Sequence, residues 1–228
     1  MIANCNCEKC EMKDLFFENV GATDIEAMCS NKTETKYKKG SVIVEKGQVI
    51  ENFIYLKKGL VKLFRISSSG KEQIITIAKP LDFVNLLSVF SDSCYNYSVV
   101  SLIDSTTCIL DFKQIRDLIK TNGSFSMGLL RKMSTISDKI ILQSIEIRQR
   151  HLPGRVAFIL LYFANEVFYS HEFDLPISRK EIAEFIGMTT ENVIRTLSEF
   201  RKDKIIKIYG KLIEIIDIKK MEQISLHG

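Results

Sequence analysis

Glu191 and Arg195 lie four residues apart, so on a helix they would share one face, a single turn from each other. Arginine can donate two hydrogen bonds to guanine, and glutamate can accept one from cytosine. Val193, Leu197 and Phe200 recur at the spacing of a face that packs inward, which would leave the charged pair outside. The pattern therefore predicts a helix that contacts base edges in DNA, although the same two charges could form an ordinary surface ion pair.

The residues before this helix predict a first helix and a tight turn between the two. Ser178, followed three residues later by Glu181, has the spacing of a capping box, which opens a helix. Gly187 suits a tight turn, and the hydroxyl of Thr189 can cap the helix that follows. Together these elements predict a helix-turn-helix motif.

Two β-prone runs, 205–209 and 212–218, surround Gly210 and Lys211 and predict a β-hairpin, which completes a winged helix. Six cations and only two carboxylates lie between positions 195 and 211, as expected of a surface that contacts phosphates. The candidate DNA-binding residues are Ser178, Arg179, Thr189, Thr190, Glu191, Asn192, Ile194, Arg195, Ser198 and Lys211.

The composition predicts a packed globular protein: of 228 residues, 46% are hydrophobic and 26% are charged. The net charge of +4 is too small to argue for nucleic-acid binding without the local pattern. No apolar run approaches the roughly 20 residues that cross a bilayer, and the N-terminal residues lack the apolar core of a signal peptide. We therefore expect a cytoplasmic protein without membrane association. In that compartment the six cysteines are expected to be free thiols or metal ligands rather than disulfides.

Catalytic residues in a recognisable arrangement are missing from the sequence. The histidines are His151, His171 and His227, and none has a serine or cysteine nearby at the spacing of a catalytic site. The sequence also lacks a nucleophile elbow, a phosphate-binding loop and a carboxylate pair in a defined context. We therefore expect that the protein is not an enzyme.

Four segments follow one another along the chain and predict an α+β fold. Runs of β-branched and aromatic residues at 41–44, 53–66, 72–78 and 97–112 are separated by glycines, which indicates an antiparallel β-roll or barrel. Residues 112–120 then turn helical, and a long helix and the winged helix follow. The predicted segments are a cysteine-bearing arm (1–20), a β-roll domain (21–123), a long helix (124–150) and a winged helix-turn-helix domain (151–228).

The long helix carries an apolar seam at alternating spacings of four and three residues, the pattern of a coiled coil. This seam predicts a parallel homodimer, and two copies of a helix-turn-helix would read a DNA operator with two-fold symmetry. The segment His151–Gly154 is expected to end the helix and to form a hinge. The predicted dimer-interface residues are Leu129, Met133, Ile136, Ile140 and Ile147.

The order of β-roll, long helix and winged helix resembles the superfamily of the cyclic-AMP receptor protein and the fumarate–nitrate reductase regulator (CRP/FNR), closer to the second branch. The motifs that carry the resemblance are KKGSVIVEKGQ, FIYLKKGLVKLFR, SSGKEQIITIA and ISRKEIAEFIGMTTENVIRTL. The resemblance implies a cyclic-nucleotide-binding-like sensor domain and a dimeric, effector-controlled transcription regulator that contacts RNA polymerase. It also implies that Glu191 and Arg195 contact bases, while Thr190 and Ile194 tune which bases are read. Ile194 could pack on a thymine methyl group, or it could be buried against the wing.

Cyclic AMP is not the expected effector. Members of the family that respond to cyclic AMP bind it through a glycine–glutamate pair and an arginine–serine pair, which here become Asn85–Leu86 and Asn96–Tyr97. The carboxylate and the cation that would hold the ribose and the cyclic phosphate are therefore both absent. Another small ligand could still occupy the roll and gate the regulator without any metal. The candidate pocket residues are Phe83, Asn85, Leu86, Asn96 and Tyr97.

The cysteines resemble those of the oxygen-sensing branch, in which three arm cysteines and one roll cysteine hold a [4Fe–4S] cluster. The resemblance implies Cys5, Cys7, Cys10 and Cys108 as ligands. The spacing departs from that branch, because only Cys7 and Cys10 reproduce its cysteine pair. The third arm ligand is therefore either Cys5 or Cys29. Zinc, simple redox thiols and the absence of any metal remain as alternatives.

Overall fold

The computed structural model describes Gly21, residues 32–85 and residues 87–228, which fall into two compact units. The first unit contains the described residues up to Arg65 and the segment Thr76–Lys139. The second contains Ile66–Ile75 and Ile140–Gly228. Several residues singled out from the sequence lie outside the described part of the chain, namely Cys5, Cys7, Cys10, Cys29 and Leu86.

Strands β1 to β7 form the predicted antiparallel roll. They span Thr33–Tyr37 (β1), Val42–Val44 (β2), Asn52–Lys58 (β3), Val61–Ile66 (β4), Glu72–Ala78 (β5), Ser98–Ser101 (β6) and Ser105–Asp111 (β7). One sheet has the order β1-β7-β3 and the other the order β2-β6-β4-β5. The pairs β1–β7, β3–β7, β2–β6 and β4–β6 are antiparallel. The core of the roll includes the completely buried side chains of Phe53, Leu56, Val61 and Val99.

The tight turn between β3 and β4 requires a glycine. Gly59 has a φ of +99°, a conformation that residues with a side chain rarely adopt. A Cβ atom at this position would lie 2.2 Å from the Oγ of Ser105, so the turn also needs the space that glycine leaves. The first reason is local and agrees with the glycine pattern of the sequence, whereas the second depends on Ser105 at the start of β7, which only the folded chain brings close.

Two helices follow the roll, α1 at Phe112–Thr121 and α2 at Gly123–Gln149, close to the predicted bounds. Helix α2 is apolar on more than one side. Leu129 and Ile147, at the two ends of the predicted seam, are buried within the chain. Met133, Ile136 and Ile140 are half-buried. The exposed apolar residues of α2 are instead Met127, Leu130, Ile141, Leu142 and Ile145. Among the described residues, α2 included, no helix is both long and apolar enough to cross a bilayer.

The C-terminal elements build the predicted winged helix with additions. They are helix α3 (Leu152–Tyr162), a π-helical segment (Phe163–Phe168), β8 (Glu172–Asp174), α4 (Arg179–Ile186), α5 (Thr190–Lys202), β9 (Ile206–Tyr209), β10 (Leu212–Ile215) and α6 (Ile218–His227). Strand β8 pairs with β10, so the wing is a three-stranded sheet of order β8-β10-β9.

The bounds of two predicted elements differ in detail. Helix α2 ends at Gln149, just before the segment His151–Gly154, and α3 already begins at Leu152 with Pro153 in its first turn, where the missing N–H of proline costs no hydrogen bond. The hinge stays a prediction. The last β-prone run does not continue to Ile218, because β10 ends at Ile215 and the side chain of Asp217 caps α6 by accepting from the backbone N–H of Lys220.

Candidate DNA-binding surface

The first helix of the motif, α4, begins with the capping box that the sequence predicts. The Oγ of Ser178 accepts a hydrogen bond from the backbone N–H of Glu181 at 3.1 Å. In return, a carboxylate oxygen of Glu181 accepts from the backbone N–H of Ser178 at 2.8 Å. The helix ends at Gly187, whose φ of +67° turns the chain toward α5.

Helix α5 buries one face and exposes the other, as the spacing predicts. Its first turn is capped by Thr189, whose hydroxyl accepts from the backbone N–H of Asn192 at 3.3 Å. On its inward face Val193, Leu197 and Phe200 are buried. The outward residues Glu191, Ile194, Arg195 and Ser198 are exposed, and Thr190 is partly exposed. Ile194 is 51% exposed and is therefore not buried against the wing.

Arg195 and Glu191 have separate partners and do not form the surface ion pair that their spacing allows. The guanidinium of Arg195 donates to the side-chain oxygen of Asn192 at 3.2 Å and lies 4.0 Å from a carboxylate oxygen of Glu199. The pKa of Glu191 is lowered, first by a hydrogen bond from its own backbone N–H and then by the hydroxyl of Thr189. Exposed contacts of this kind contribute little free energy, so base edges can replace them at small cost.

A hydrogen bond from one arginine joins the wing to the start of α4. The Nη2 of Arg179 donates to the carbonyl oxygen of Gly210, at the tip of the β9–β10 turn, at 2.9 Å. The neighbouring Lys211 is exposed, and its carbonyl oxygen accepts from the backbone N–H of Leu175 at 2.9 Å. Arg179 is partly exposed, and its bond to the Gly210 carbonyl orients the wing tip.

The candidate pocket residues of the roll are mostly engaged with one another. Asn85 is completely buried: its Oδ1 accepts from the backbone N–H of Ile54 at 3.0 Å, and its Nδ2 donates to the carbonyl oxygen of Asn52 and the hydroxyl of Tyr95. Tyr97 donates to the carbonyl oxygen of Val84 at 3.3 Å, and burial raises its pKa. Both polar groups are therefore used by the fold itself.

The other two described pocket candidates differ from each other. Phe83 is buried and packs against the rings of Phe53 and Tyr55, with centroid separations of 4.9 Å and 5.4 Å. Asn96 is exposed, and its side chain reaches Asp92 at 3.4 Å. Some of the candidate pocket residues therefore lie in the core of the roll, and others lie on its surface.

Cys108 is completely buried in β7, the middle strand of the first sheet. It pairs in register with Glu34 of β1, and its sulfur lies 3.9 Å from a carboxylate oxygen of that residue. Glu34 also forms an ion pair with Lys57 at 2.5 Å. Within the described part of the chain, no group of three potential metal ligands comes together.

Two family models match the chain, one in each half. Residues 34–122 match the cyclic nucleotide-binding domain, and residues 154–224 match the Crp-like helix-turn-helix domain. A solved regulator of the CRP/FNR family from Eubacterium rectale has the same fold, with a TM-score of 0.76 at 19% identity, over 92% of this chain and 97% of that one. The chain belongs to the CRP/FNR superfamily. Members of this superfamily are transcription regulators rather than enzymes, and this CRP/FNR chain is accordingly a DNA-binding transcription regulator.

Two curated relatives are similar to the CRP/FNR chain over most of its length. Electron transport regulator A of Shewanella oneidensis is 27% identical over 183 residues, which cover 78% of this chain and 73% of the relative. The transcriptional activator protein Anr of Pseudomonas protegens is 24% identical over 218 residues, which cover 93% of this chain and 89% of the relative. Both alignments reach well beyond the helix-turn-helix.

Two features of the candidate DNA-binding surface were not predicted from the sequence. Tyr209 lies beside the wing turn and is 61% exposed, and its position before Gly210 in a hairpin could have indicated this. The bond from Arg179 to the wing could not be anticipated, because the two residues that it joins are 31 positions apart.

Proposed function

We propose that the regulator works as a homodimer that reads a two-fold DNA operator, with α5 of each copy in the major groove. The observation that carries this proposal is the outward face of α5, where exposed Glu191 and Arg195 stand on a helix whose opposite face is buried. A helix held rigidly by its own core is suited to base contacts, because its side chains start from fixed positions.

On this proposal each outward residue has a distinct role. Arg195 leaves Asn192 and donates to guanine, Glu191 accepts from cytosine, and Ile194 packs on a thymine methyl group. The lowered pKa of Glu191 keeps its carboxylate ionised and therefore able to accept. Thr190 is proposed to tune which bases are read, together with Ile194. The other candidates are assigned to the phosphates and sugars that flank these bases, namely Ser178, Arg179, Thr189, Asn192, Ser198 and Lys211.

Binding to a selected duplex tests this assignment. The operator is first selected by the unmodified protein from a randomised duplex library. Replacing both Glu191 and Arg195 by alanine should then weaken operator binding by roughly 100-fold, because a good bidentate base contact is worth roughly 1–3 kcal/mol. Binding to unrelated duplex should change far less, since phosphate contacts provide most of it.

A matched control is the double replacement of Lys219 and Glu222 by alanine on α6, where both side chains are exposed. This control removes one positive and one negative charge from the second compact unit, as the double variant of α5 does. Its affinity for the selected operator should equal that of the unmodified protein. If the double variant of α5 kept the operator affinity of the unmodified protein, the proposal that α5 contacts the bases would be wrong.

The dimer is proposed to form along α2. Because Leu129 and Ile147 are buried within the chain, the interface is proposed to centre on the exposed apolar residues Leu130, Ile141 and Ile145. The half-buried residues of the predicted seam, Met133, Ile136 and Ile140, would lie at its border. Replacing Ile141 by glutamate should shift sedimentation from dimer to monomer, and an unchanged dimer would place the interface elsewhere.

The effector is proposed to be redox-linked, through a [4Fe–4S] cluster held by Cys5, Cys7, Cys10 and Cys108. Four thiols are the usual donor set for such a cluster, and this donor chemistry supports the proposal. Cys108 is buried in the middle strand of its sheet, so its sulfur would have to become accessible to the arm cysteines for the cluster to bind. The name of the relative electron transport regulator A also supports a redox-linked signal. A bound cluster would supply chemistry that responds to oxygen, while the protein residues hold it and exclude solvent.

Anaerobic purification, an absorbance spectrum and analysis of iron and sulfide test the cluster. Replacing Cys108 by serine should abolish the iron and the colour, whereas the matched replacement of Cys94, a partly exposed thiol, should not. Replacing Cys5 and Cys29 one at a time identifies the third arm ligand. Colourless protein that contains no iron after reconstitution would contradict the cluster, and one zinc per chain without sulfide would favour the zinc alternative.

The roll is not proposed to be gated by cyclic AMP, nor by another small ligand. The internal hydrogen bonds of Asn85 and Tyr97 support this view, since both side chains are committed to the fold. If signalling survived the Cys108→Ser replacement, a ligand in the roll would become the better explanation. The further expectations, cytoplasmic location and contact with RNA polymerase, are proposed from the family alone.

A further inference from the structure

Arg155, on the first turn of α3, bonds to the ends of two other helices. Its Nε donates to the carbonyl oxygen of Arg150 at 2.9 Å, and its Nη2 donates to that of Arg148 at 3.3 Å. Its Nη1 donates to the carbonyl oxygen of Ile186 at 3.1 Å. All four residues belong to the second compact unit.

These three carbonyl groups lie at the C-terminal ends of helices, where carbonyl oxygens need hydrogen-bond donors from outside the helix. The last carbonyls of a helix have no partner within it and carry the negative end of the helix dipole. Arg148 lies in the last turn of α2, Arg150 follows its end, and Ile186 is the last residue of α4. A guanidinium is planar and always charged, so it holds its three acceptors in a fixed geometry. The C-terminal end of α2 is thereby joined to the end of α4.

The end of α4 is also where the turn toward α5 begins. Gly187 follows Ile186 directly, and a Cβ atom at that glycine would lie 3.9 Å from the Nη1 of Arg155. The position of the Ile186 carbonyl therefore influences where the turn begins and how α5 is presented.

We propose that Arg155 is a positioning residue for operator binding, which sets α5 relative to the C-terminal end of α2; this inference rests on the proposed function. A change in α2 then reaches the base-reading helix through three hydrogen bonds of one side chain. Arg155 itself makes no contact with DNA in this scheme.

Three variants test the proposal in the full chain. Arg155→Met removes the donors and keeps the side-chain length, and Arg155→Lys keeps the charge but cannot hold three acceptors in a plane. Lys219→Met removes an exposed cation from α6 and serves as the charge-matched control. Each is measured for binding to the selected operator and to unrelated duplex over a range of salt, and for amide hydrogen exchange.

The expected result is a loss of specificity without a loss of general DNA binding. Arg155→Met should weaken operator binding by about tenfold or more, Arg155→Lys should weaken it less, and Lys219→Met should not. Binding to unrelated duplex and its salt dependence should stay as in the parent. Hydrogen exchange should rise at residues 186–190 and stay unchanged in β9 and β10.

Three outcomes overturn the proposal. Operator binding by Arg155→Met within about twofold of the parent would show that the bonds do not position α5. Parallel loss of operator and unrelated DNA, with faster exchange throughout the winged helix, would mean that Arg155 only supports folding. A shallower salt dependence would mean that it contacts a phosphate directly.

Two further comparisons distinguish a failure of this proposal about Arg155 from a failure to fold and from a failure of the proposed function. If Arg155→Met does not fold, the ratio of operator to unrelated binding in Arg155→Lys decides, because an unchanged ratio contradicts the proposal. If the unmodified protein selects no DNA sequence, it is the proposed function that fails. In that case an unchanged exchange rate at residues 186–190 in Arg155→Met would contradict the bridge between α2 and α4 independently.

Discussion

Replacing Asn85 by alanine should destabilise the roll far more than its small size suggests. The side chain is completely buried and joins β3 to Tyr95 by three hydrogen bonds. It accepts from the backbone N–H of Ile54 at 3.0 Å and donates to the carbonyl oxygen of Asn52 at 2.6 Å and to the hydroxyl of Tyr95 at 3.0 Å. Alanine removes all three bonds and leaves the backbone in place.

The magnitude follows from what each partner loses. The buried N–H of Ile54 is left without an acceptor, which costs about 1–3 kcal/mol. The carbonyl of Asn52 and the hydroxyl of Tyr95 lose a donor but can accept or donate elsewhere, so each adds at most about 1 kcal/mol. The free energy of unfolding should therefore fall by about 2–4 kcal/mol, a large part of the 5–15 kcal/mol typical of a folded domain.

Urea unfolding of the full chain measures this loss, with Asn96→Ala as the matched control. Asn96 is exposed, and its side chain makes only a 3.4 Å contact with Asp92, so its replacement should cost less than about 0.5 kcal/mol. Both asparagines were candidate pocket residues, so the comparison separates a role in the fold from a role in ligand binding.

Equal stability of the two variants would refute the reasoning, because the buried bonds of Asn85 would then carry no net energy. A second readout is the pKa of Tyr95. Burial raises this pKa, and the hydrogen bond from Asn85 lowers it. The pKa of Tyr95 should therefore rise further in Asn85→Ala, as followed by ultraviolet absorbance during titration with base.

Three further predictions concern the winged helix. Ser178→Ala removes the Oγ that accepts from the N–H of Glu181, and urea unfolding should show a loss of about 1 kcal/mol, whereas no loss would mean that water replaces the cap. Ile194→Ser should change the preferred base at one operator position in a randomised library, since Ile194 is 51% exposed, and identical preferences at every position would exclude a thymine contact. Because the pKa of Glu191 lies below its ordinary value of 4.5, its carboxylate stays ionised as pH falls, and the charge is lost only as pH passes below that value. Operator affinity should therefore not show a Glu191-dependent fall between neutral pH and about pH 5, as checked by comparing the parent with Glu191→Gln.

The helix-turn-helix was predictable because its signals act over a few residues. Ser178 caps α4 through Glu181, three positions away, and Thr189 caps α5 through Asn192, also three positions away. Gly187 turns the chain by its own backbone conformation. The inward stripe of α5 follows from helical spacing alone. Local physics of this kind needs no knowledge of the rest of the fold.

Local patterns could not predict how the long helix α2 packs. Periodicity identified Leu129 and Ile147 as members of one apolar face, and they are, but it could not say what that face packs against. Helix α2 has apolar residues on several sides, so the choice of the buried side depends on which parts of the chain surround it. The same limit applies to Asn85, whose three partners lie ten or more positions away in sequence.

The sequence by itself therefore determined the helix-turn-helix and the outward residues of α5, because capping, turns and spacing are local. The order of the elements along the chain also indicated the family. Only the tertiary structure decided which side of α2 is exposed, that Asn85 bonds to β3 and to Tyr95, and that Arg155 joins α2 to α4. These features rest on hydrogen bonds and packing between distant segments. Such contacts exist only once the chain has folded, and no local pattern of residues encodes them.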